Sequence, residues 1–250
     1  MTLKVCQHCG CQNKPENRFC IKCGGSLPEV TQATAEEPLP VSPSGVVYLY
    51  GDHFVGGGFL KGRIELPCRG VKVKKDELAE VAATAAFIGL AQGGYARLYI
   101  DQRRGTLSIR KHKAVFLQPL ERASTPPSGF EGMILQSLID RQGLNNAVDI
   151  LKRLVPESED PWTQVIWRVS EGLLEQGYFV EEERGRVAKF VLGRKLQPDC
   201  QRIAALRGQV EPVRKMMESF RIANSEIYAQ LMKDVRTAIR ARKKVEADYD

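Results

Sequence analysis

Ala85-Ala86-Phe87-Ile88-Gly89-Leu90-Ala91-Gln92-Gly93-Gly94-Tyr95-Ala96-Arg97-Leu98-Tyr99-Ile100 changes its hydrophobic period across a double glycine. On the N-terminal side Leu78, Val81, Ala82, Ala85, Ala86, Ile88 and Leu90 recur at the three-to-four spacing of a helix, with Asp76 placed as its N-cap. Gly93-Gly94 suits the stop of that helix, because glycine adopts the left-handed conformation that closes a helical C-terminus. On the C-terminal side, residues 95–100 and 107–117 are β-rich, and Asp101-Gln102-Arg103-Arg104-Gly105 between them predicts a hairpin.

Working outward, the same order returns. Pro126-Pro127-Ser128 opens a helix through Phe130, Met133, Ile134, Leu138 and Ile139, and residues 144–154 predict a second helix. Asp160-Pro161 caps a third, with Trp162, Val165, Ile166, Val169, Leu173 and Leu174 on its apolar face and Gly177 at its end. Residues 178–192 then read as strand, turn and strand. Three helices and a hairpin make a winged-helix-like unit, and Leu90-Ala91-Gln92-Gly93-Gly94-Tyr95 corresponds to Leu174-Glu175-Gln176-Gly177-Tyr178. The expected body is therefore α+β, with two winged-helix-like units at 46–120 and 121–198.

Ahead of the first unit, Val46-Val47-Tyr48-Leu49-Tyr50 is β-rich, and Gly56-Gly57-Gly58 leads into a strand at 63–66. That glycine run belongs to no G-x4-G-K-[ST] or G-x-G-x-x-G pattern, so it reads as a turn rather than a phosphate cradle. Residues 199–250 form a helical tail, a short helix to Val210 and a long one opened by Pro212. Val213, Met217, Phe220, Ile227, Leu231, Val235 and Ala238 line one stripe of the long helix. The stripe must bury on the chain's own helices, on a second copy or on a protein partner.

The N-terminal segment is chemically distinct. Cys6-Gln7-His8-Cys9-Gly10 and Cys20-Ile21-Lys22-Cys23-Gly24 give C-x2-C-x10-C-x2-C. Each pair can turn as a knuckle that aims two thiolates at one ion, and two knuckles supply the tetrahedral sulfur set of Zn²⁺ at about 2.3 Å. Gly10 and Gly24 suit the positive-φ turn. These residues, with Phe19 before the second pair, resemble the short zinc-ribbon family over residues 3–28. Cys6, Cys9, Cys20 and Cys23 are the expected ligands of one structural Zn²⁺. Cys11 is an alternative to Cys9, disfavoured by C-x-C geometry, and four thiolates also satisfy iron on softness alone. A segment this short has almost no core, so the metal would supply most of its folding free energy. Residues 29–45 hold three prolines, three acids and no basic residue, a flexible tether between ribbon and body.

The chain of 250 residues carries a net charge of +7, unevenly placed. Residues 1–28 contribute +3, 29–45 −3, 46–120 +6, 121–198 −2 and 199–250 +3. Phosphate contacts dominate nucleic-acid affinity, so the first unit is the better reader. Lys72, Lys74 and Lys75 precede its helix, and Arg103, Arg104, Arg110, Lys111 and Lys113 lie on its hairpin. These eight are the candidate anion-binding residues. The second unit, with Glu181-Glu182-Glu183 in its wing, is a poor DNA reader.

Catalytic patterns are lacking. His8, His53 and His112 are scattered, no G-x-S-x-G or H-E-x-x-H occurs, and Asp52-His53 is the only constellation. Cys68 and Cys200 are expected as bystanders. No apolar run reaches the ~18 residues of a membrane span, and the start has no apolar signal core. The expectation is a cytoplasmic, non-enzymatic binding or scaffolding protein with no small-molecule substrate. Nucleic acid is the leading partner. The alternatives are a protein-interaction adaptor, through the tail stripe, and an adaptor at an acidic membrane surface.

Residues 85–97, the Val115-Phe116-Leu117 strand followed by Thr125-Pro126-Pro127-Ser128-Gly129, and residues 169–183 resemble the Golgi phosphoprotein 3 family, which has bacterial members and binds phosphoinositide head groups at membranes. The resemblance implies an architecture from about Val46 to Val210. It carries no lipid-binding residue, since the family's aromatic and arginine site has no counterpart around Tyr48 to Phe59.

Overall fold

The computed structural model describes residues 4–5, 11–13, 22–23, 41–56, 62–105, 108–120, 127–140, 145–182 and 196–244. The chain divides into two compact units, Met1–Pro38 and Leu39–Asp250. In the first, β1 (Lys4–Val5) and β2 (Gln12–Asn13) pair antiparallel with Lys4 opposite Asn13 and Val5 opposite Gln12. The pairing brings together the two ends of segment 6–11. Asn13 is buried and its Nδ2 donates to the Cys11 carbonyl at 2.8 Å.

Among the described residues the second unit is α+β, mostly helical with three small antiparallel pairs. Its centre is α2 (Lys75–Gln92), whose Leu78, Ala82, Ala85, Ala86, Phe87, Ile88 and Leu90 are all buried. A helix buried on nearly every side needs small residues to let neighbours approach, and the alanines supply them. Around it pack α1 (Pro43–Leu49), α3 (Gly129–Ile139), α5 (Pro161–Glu175), α7 (Val210–Ala223) and α8 (Ser225–Arg240). The helix ends as expected: Gly94 takes φ 74°, and the Tyr95 N–H donates to the Leu90 carbonyl at 2.9 Å. The chain then enters β5 (Ala96–Gly105), which pairs with β6 (Ser108–Pro119). Asp76 lies in the first turn of α2 rather than at its cap, because β4 (Lys72–Lys74) runs directly into the helix with Lys74 as the N-cap.

Three elements differ from expectation. The apolar run 46–50 is helical, not β. Ser42 caps α1 by accepting from the Gly45 N–H at 3.3 Å, Pro43 takes the first helical position, and Val46, Val47, Tyr48 and Leu49 are all buried. With every side covered, no periodicity separates a buried helix from a strand. The tail is two helices, since Asn224 leaves the helical region (φ −134°, ψ 48°) between α7 and α8. Its stripe is nonetheless buried, at Val213, Met217, Phe220, Leu231, Val235 and Ala238, inside the chain's own core. Finally, β7 (Phe179–Glu181) pairs with β8 (Leu196–Pro198), and the strand expected within 186–192 lies outside the described residues. Helix α4 (Ala147–Leu154) starts at the cap Asn146, whose side chain accepts from the Asp149 N–H at 3.0 Å.

Cys68 and Cys200 are not bystanders. They form a disulfide with Cα atoms 5.4 Å apart across 132 residues of sequence. It joins the turn between β3 (Arg63–Glu65) and β4 to the start of α6 (Cys200–Ala205). Among the described residues no helix is long and apolar enough to cross a membrane.

Candidate functional site

The β5–β6 hairpin concentrates the basic charge of the body. Residues 96–119 hold Arg97, Arg103, Arg104, Arg110, Lys111 and Lys113 against a single acid, Asp101. The register sets Arg103 opposite His112 and Arg104 opposite Lys111. Like charges at a directly opposed pair cost stability. At its base the hairpin is anchored in the core through Leu98, Val115 and Leu117, all buried. Tyr99 and Phe116 stack across the strands at 5.8 Å.

Helix α8 fixes the hairpin by backbone contacts. Buried Asp234 accepts from the Val115 N–H at 2.7 Å, and the Gln230 side-chain amide donates to the Lys113 carbonyl at 3.0 Å. Lys113 Nζ, exposed, reaches Glu226 at 3.1 Å. Going from Val115 to Lys113 thus follows α8 from Asp234 back toward Glu226, toward the N-terminal end of α8.

Lys72, Lys74 and Lys75 sit at the other end. Lys75 pairs with Asp160, and Asp160 is two residues from Ser158, whose backbone bonds Arg242 and Lys244 just past the C-terminus of α8. From Glu226 to Arg240 the helix rises roughly 20 Å. Lys113 and Lys75 are therefore set toward opposite ends of α8. Lys74 is engaged by Glu77 at 2.5 Å, a hydrogen bond and charge pairing that raise its pKa. Burial pushes the Asp160 carboxyl up, but hydrogen bonds from Lys75 and Thr163 outweigh it and hold it below its ordinary value. Lys72 is exposed.

Of the expected metal ligands, Cys6, Cys9 and Cys20 lie outside the described residues, while Cys23 is exposed and the alternative donor Cys11 half-buried. Among the described residues no group of three or more His, Cys, Asp or Glu side chains is placed to hold a metal ion. The donor set itself, four thiols in two C-x2-C pairs with strands β1 and β2 flanking the first, fits Zn²⁺.

The Asp52-His53 pair belongs to a different arrangement. Asp52 Oδ2 accepts from Arg69 at 2.6 Å, while His53 Nε2 is 3.9 Å away. The Arg69 guanidinium also lies over the Tyr50 ring at 4.8 Å. Asp52 thus serves Arg69, not the imidazole, and His53 faces a groove of about 390 Å³ with Phe54, Val81, Met217 and Tyr228. Sequence reasoning missed this cluster and the adjacent disulfide. The usable cue was arithmetic: Cys68 and Cys200 are the two cysteines left once the N-terminal five are set aside. No protein family, curated protein or solved structure is matched by this chain.

Proposed function

We propose that this protein is a non-catalytic binding module that holds a structural Zn²⁺ in its N-terminal ribbon and grips a nucleic-acid backbone with the basic tip of the β5–β6 hairpin. The observation that carries the reading is the hairpin register, which places Arg104 opposite Lys111 at the end of a long, core-anchored ribbon. A phosphate backbone would supply countercharge to such a pairing. The order of elements supports it: α2 precedes the β5–β6 hairpin, and α3, α4 and α5 precede β7, as a winged-helix-like reading expects. In such a unit the hairpin is the wing that lies along the backbone. Lys74 and Lys75, each held by an acid, and the buried tail stripe make the hairpin the surface of choice.

The test is binding of the full chain to labelled duplex and single-stranded oligonucleotides as salt is raised from about 50 mM to about 200 mM. Affinity should fall steeply, and alanine at Arg103, Arg104, Arg110 and Lys111 together should flatten the log–log salt slope by roughly one unit per lost phosphate contact. Flat titrations with DNA and RNA at the lowest salt would sink the reading, and pelleting with acidic vesicles instead would select the membrane-surface adaptor.

A further inference from the structure

We propose that Cys68 and Cys200 form a reversible thiol–disulfide site that locks and releases the β3–β4 hairpin, with a dithiol as co-reactant. Both cysteines are exposed, so an attacking thiolate reaches sulfur without unfolding of the body. Access of this kind separates exchangeable disulfides from structural ones.

Reversibility also requires the thiols to stay neighbours once the bond is open, and Tyr50 provides for this. Its hydroxyl donates to the Ile203 carbonyl of α6 at 2.7 Å. Arg69, next to Cys68, covers its ring at 4.8 Å and reaches Asp52 at 2.6 Å. These contacts bridge the hairpin turn to α6 with no sulfur involved. With Cα atoms 5.4 Å apart, inside the ordinary range for a native disulfide, the pair can close again without backbone movement.

What the bond holds is also specific. Cys68 has φ 60° and is the only non-glycine residue at positive φ among the described residues. An L side chain disfavours this region, and such residues persist where the surroundings over-determine them. Here the cross-link is part of those surroundings, so opening it frees the turn that leads through β4 into α2.

The chemistry balances with the dithiol alone. One thiolate of the dithiol attacks one sulfur, the Cys68–Cys200 bond breaks, and the departing sulfur takes up a proton. The second thiol of the dithiol then resolves the mixed disulfide. Two electrons pass to the pair, two cysteine thiols form, and the dithiol closes to its own disulfide.

The experiment titrates the full chain with reduced and oxidised dithiothreitol, traps thiols with a maleimide, and maps the labelled peptides. Cys68 and Cys200 should label in step while far-UV circular dichroism is unchanged. Amide exchange in residues 62–74 and 200–206 should rise by at least about tenfold and recover on reoxidation. The pair Cys68→Ser/Cys200→Ser should show the fast exchange with or without reductant. Labelling that requires denaturant, or exchange in these segments that ignores the redox state, would overturn the proposal. The wild-type titration decides even if the double variant fails to fold.

Discussion

The Glu131 carboxylate, buried at the first turn of α3, accepts from both the backbone N–H of Ser44 at 2.9 Å and the Ser44 hydroxyl at 2.7 Å. A side chain of one helix thus satisfies the free N–H of another helix's first turn, tying α1 to α3 at the core.

Burial raises the Glu131 pKa, and the Ser44 hydrogen bonds only partly offset it. An acid whose folded pKa is raised keeps its proton in the folded state after the unfolded chain has lost it. Its contribution is full below the ordinary value of 4.5 and is lost as pH rises from there through the raised folded value. Glu131→Gln should remove that pH dependence while keeping an acceptor for Ser44. Glu131→Ala should cost about 2–3 kcal/mol by leaving the Ser44 N–H buried and unpaired. Urea denaturation from pH 4 to pH 8 measures both.

A second contact at the same core is backbone against backbone. A β-carbon on Gly172 of α5 would stand 2.4 Å from the Gly129 Cα at the start of α3. Alanine in a helix interior normally gains about 1 kcal/mol over glycine. Here Gly172→Ala should instead lose roughly 1–3 kcal/mol, because the helices must separate. The sign of the change in denaturation midpoint is the readout.

The elements visible in the sequence are those with a single buried face or a strong punctuator. The stop of α2 at Gly93-Gly94 and the Asp160-Pro161 start of α5 are local instructions, and both stand. Val46 to Tyr50 carried no such instruction within the run itself; the helix is set by Ser42 and Pro43 and by burial on all sides. The break at Asn224 escaped because Phe220, Ile227 and Leu231 keep helical spacing across it. The candidate site was half legible. The hairpin charge is a count, whereas the neutralisation of Lys75 by Asp160 and the Cys68–Cys200 bond join residues far apart in sequence.

Asp160 caps α5 by accepting from the Thr163 N–H at 3.2 Å, and it also holds Lys75. Asp160→Ala should cost about 1 kcal/mol through the lost cap. The ion pair itself adds little, being partly exposed. Because its folded pKa is lowered, this stabilisation is present above the ordinary 3.8 and fades as pH falls through the folded value. The gap between wild type and variant should therefore narrow in acid, and Lys75→Ala should leave oligonucleotide affinity unchanged.

Asp234 couples the hairpin to α8 through the Val115 N–H. Asp234→Ala leaves that donor buried and should cost about 1–3 kcal/mol, with faster amide exchange at Val115. Asp234→Asn keeps an acceptor and should lose less. If the hairpin tip is the nucleic-acid contact, the alanine variant should weaken binding although no phosphate-facing cation has changed, because a loosened wing must be re-ordered on binding.

The proposed zinc ribbon can be tested by itself. The unit Met1–Pro38 is compact on its own, and four thiolates would make its metal part of its folding. Elemental analysis of protein purified without chelator should give one zinc per chain. A strong chelator should erase the ribbon's amide protection and leave the denaturation midpoint of the body, residues 39–250, within about 0.5 kcal/mol of its starting stability. Cys20→Ser and Cys23→Ser should each remove the metal, while Cys11→Ser should keep it. Zinc retained in Cys9→Ser and lost in Cys11→Ser would put Cys11 in place of Cys9 in the ligand set.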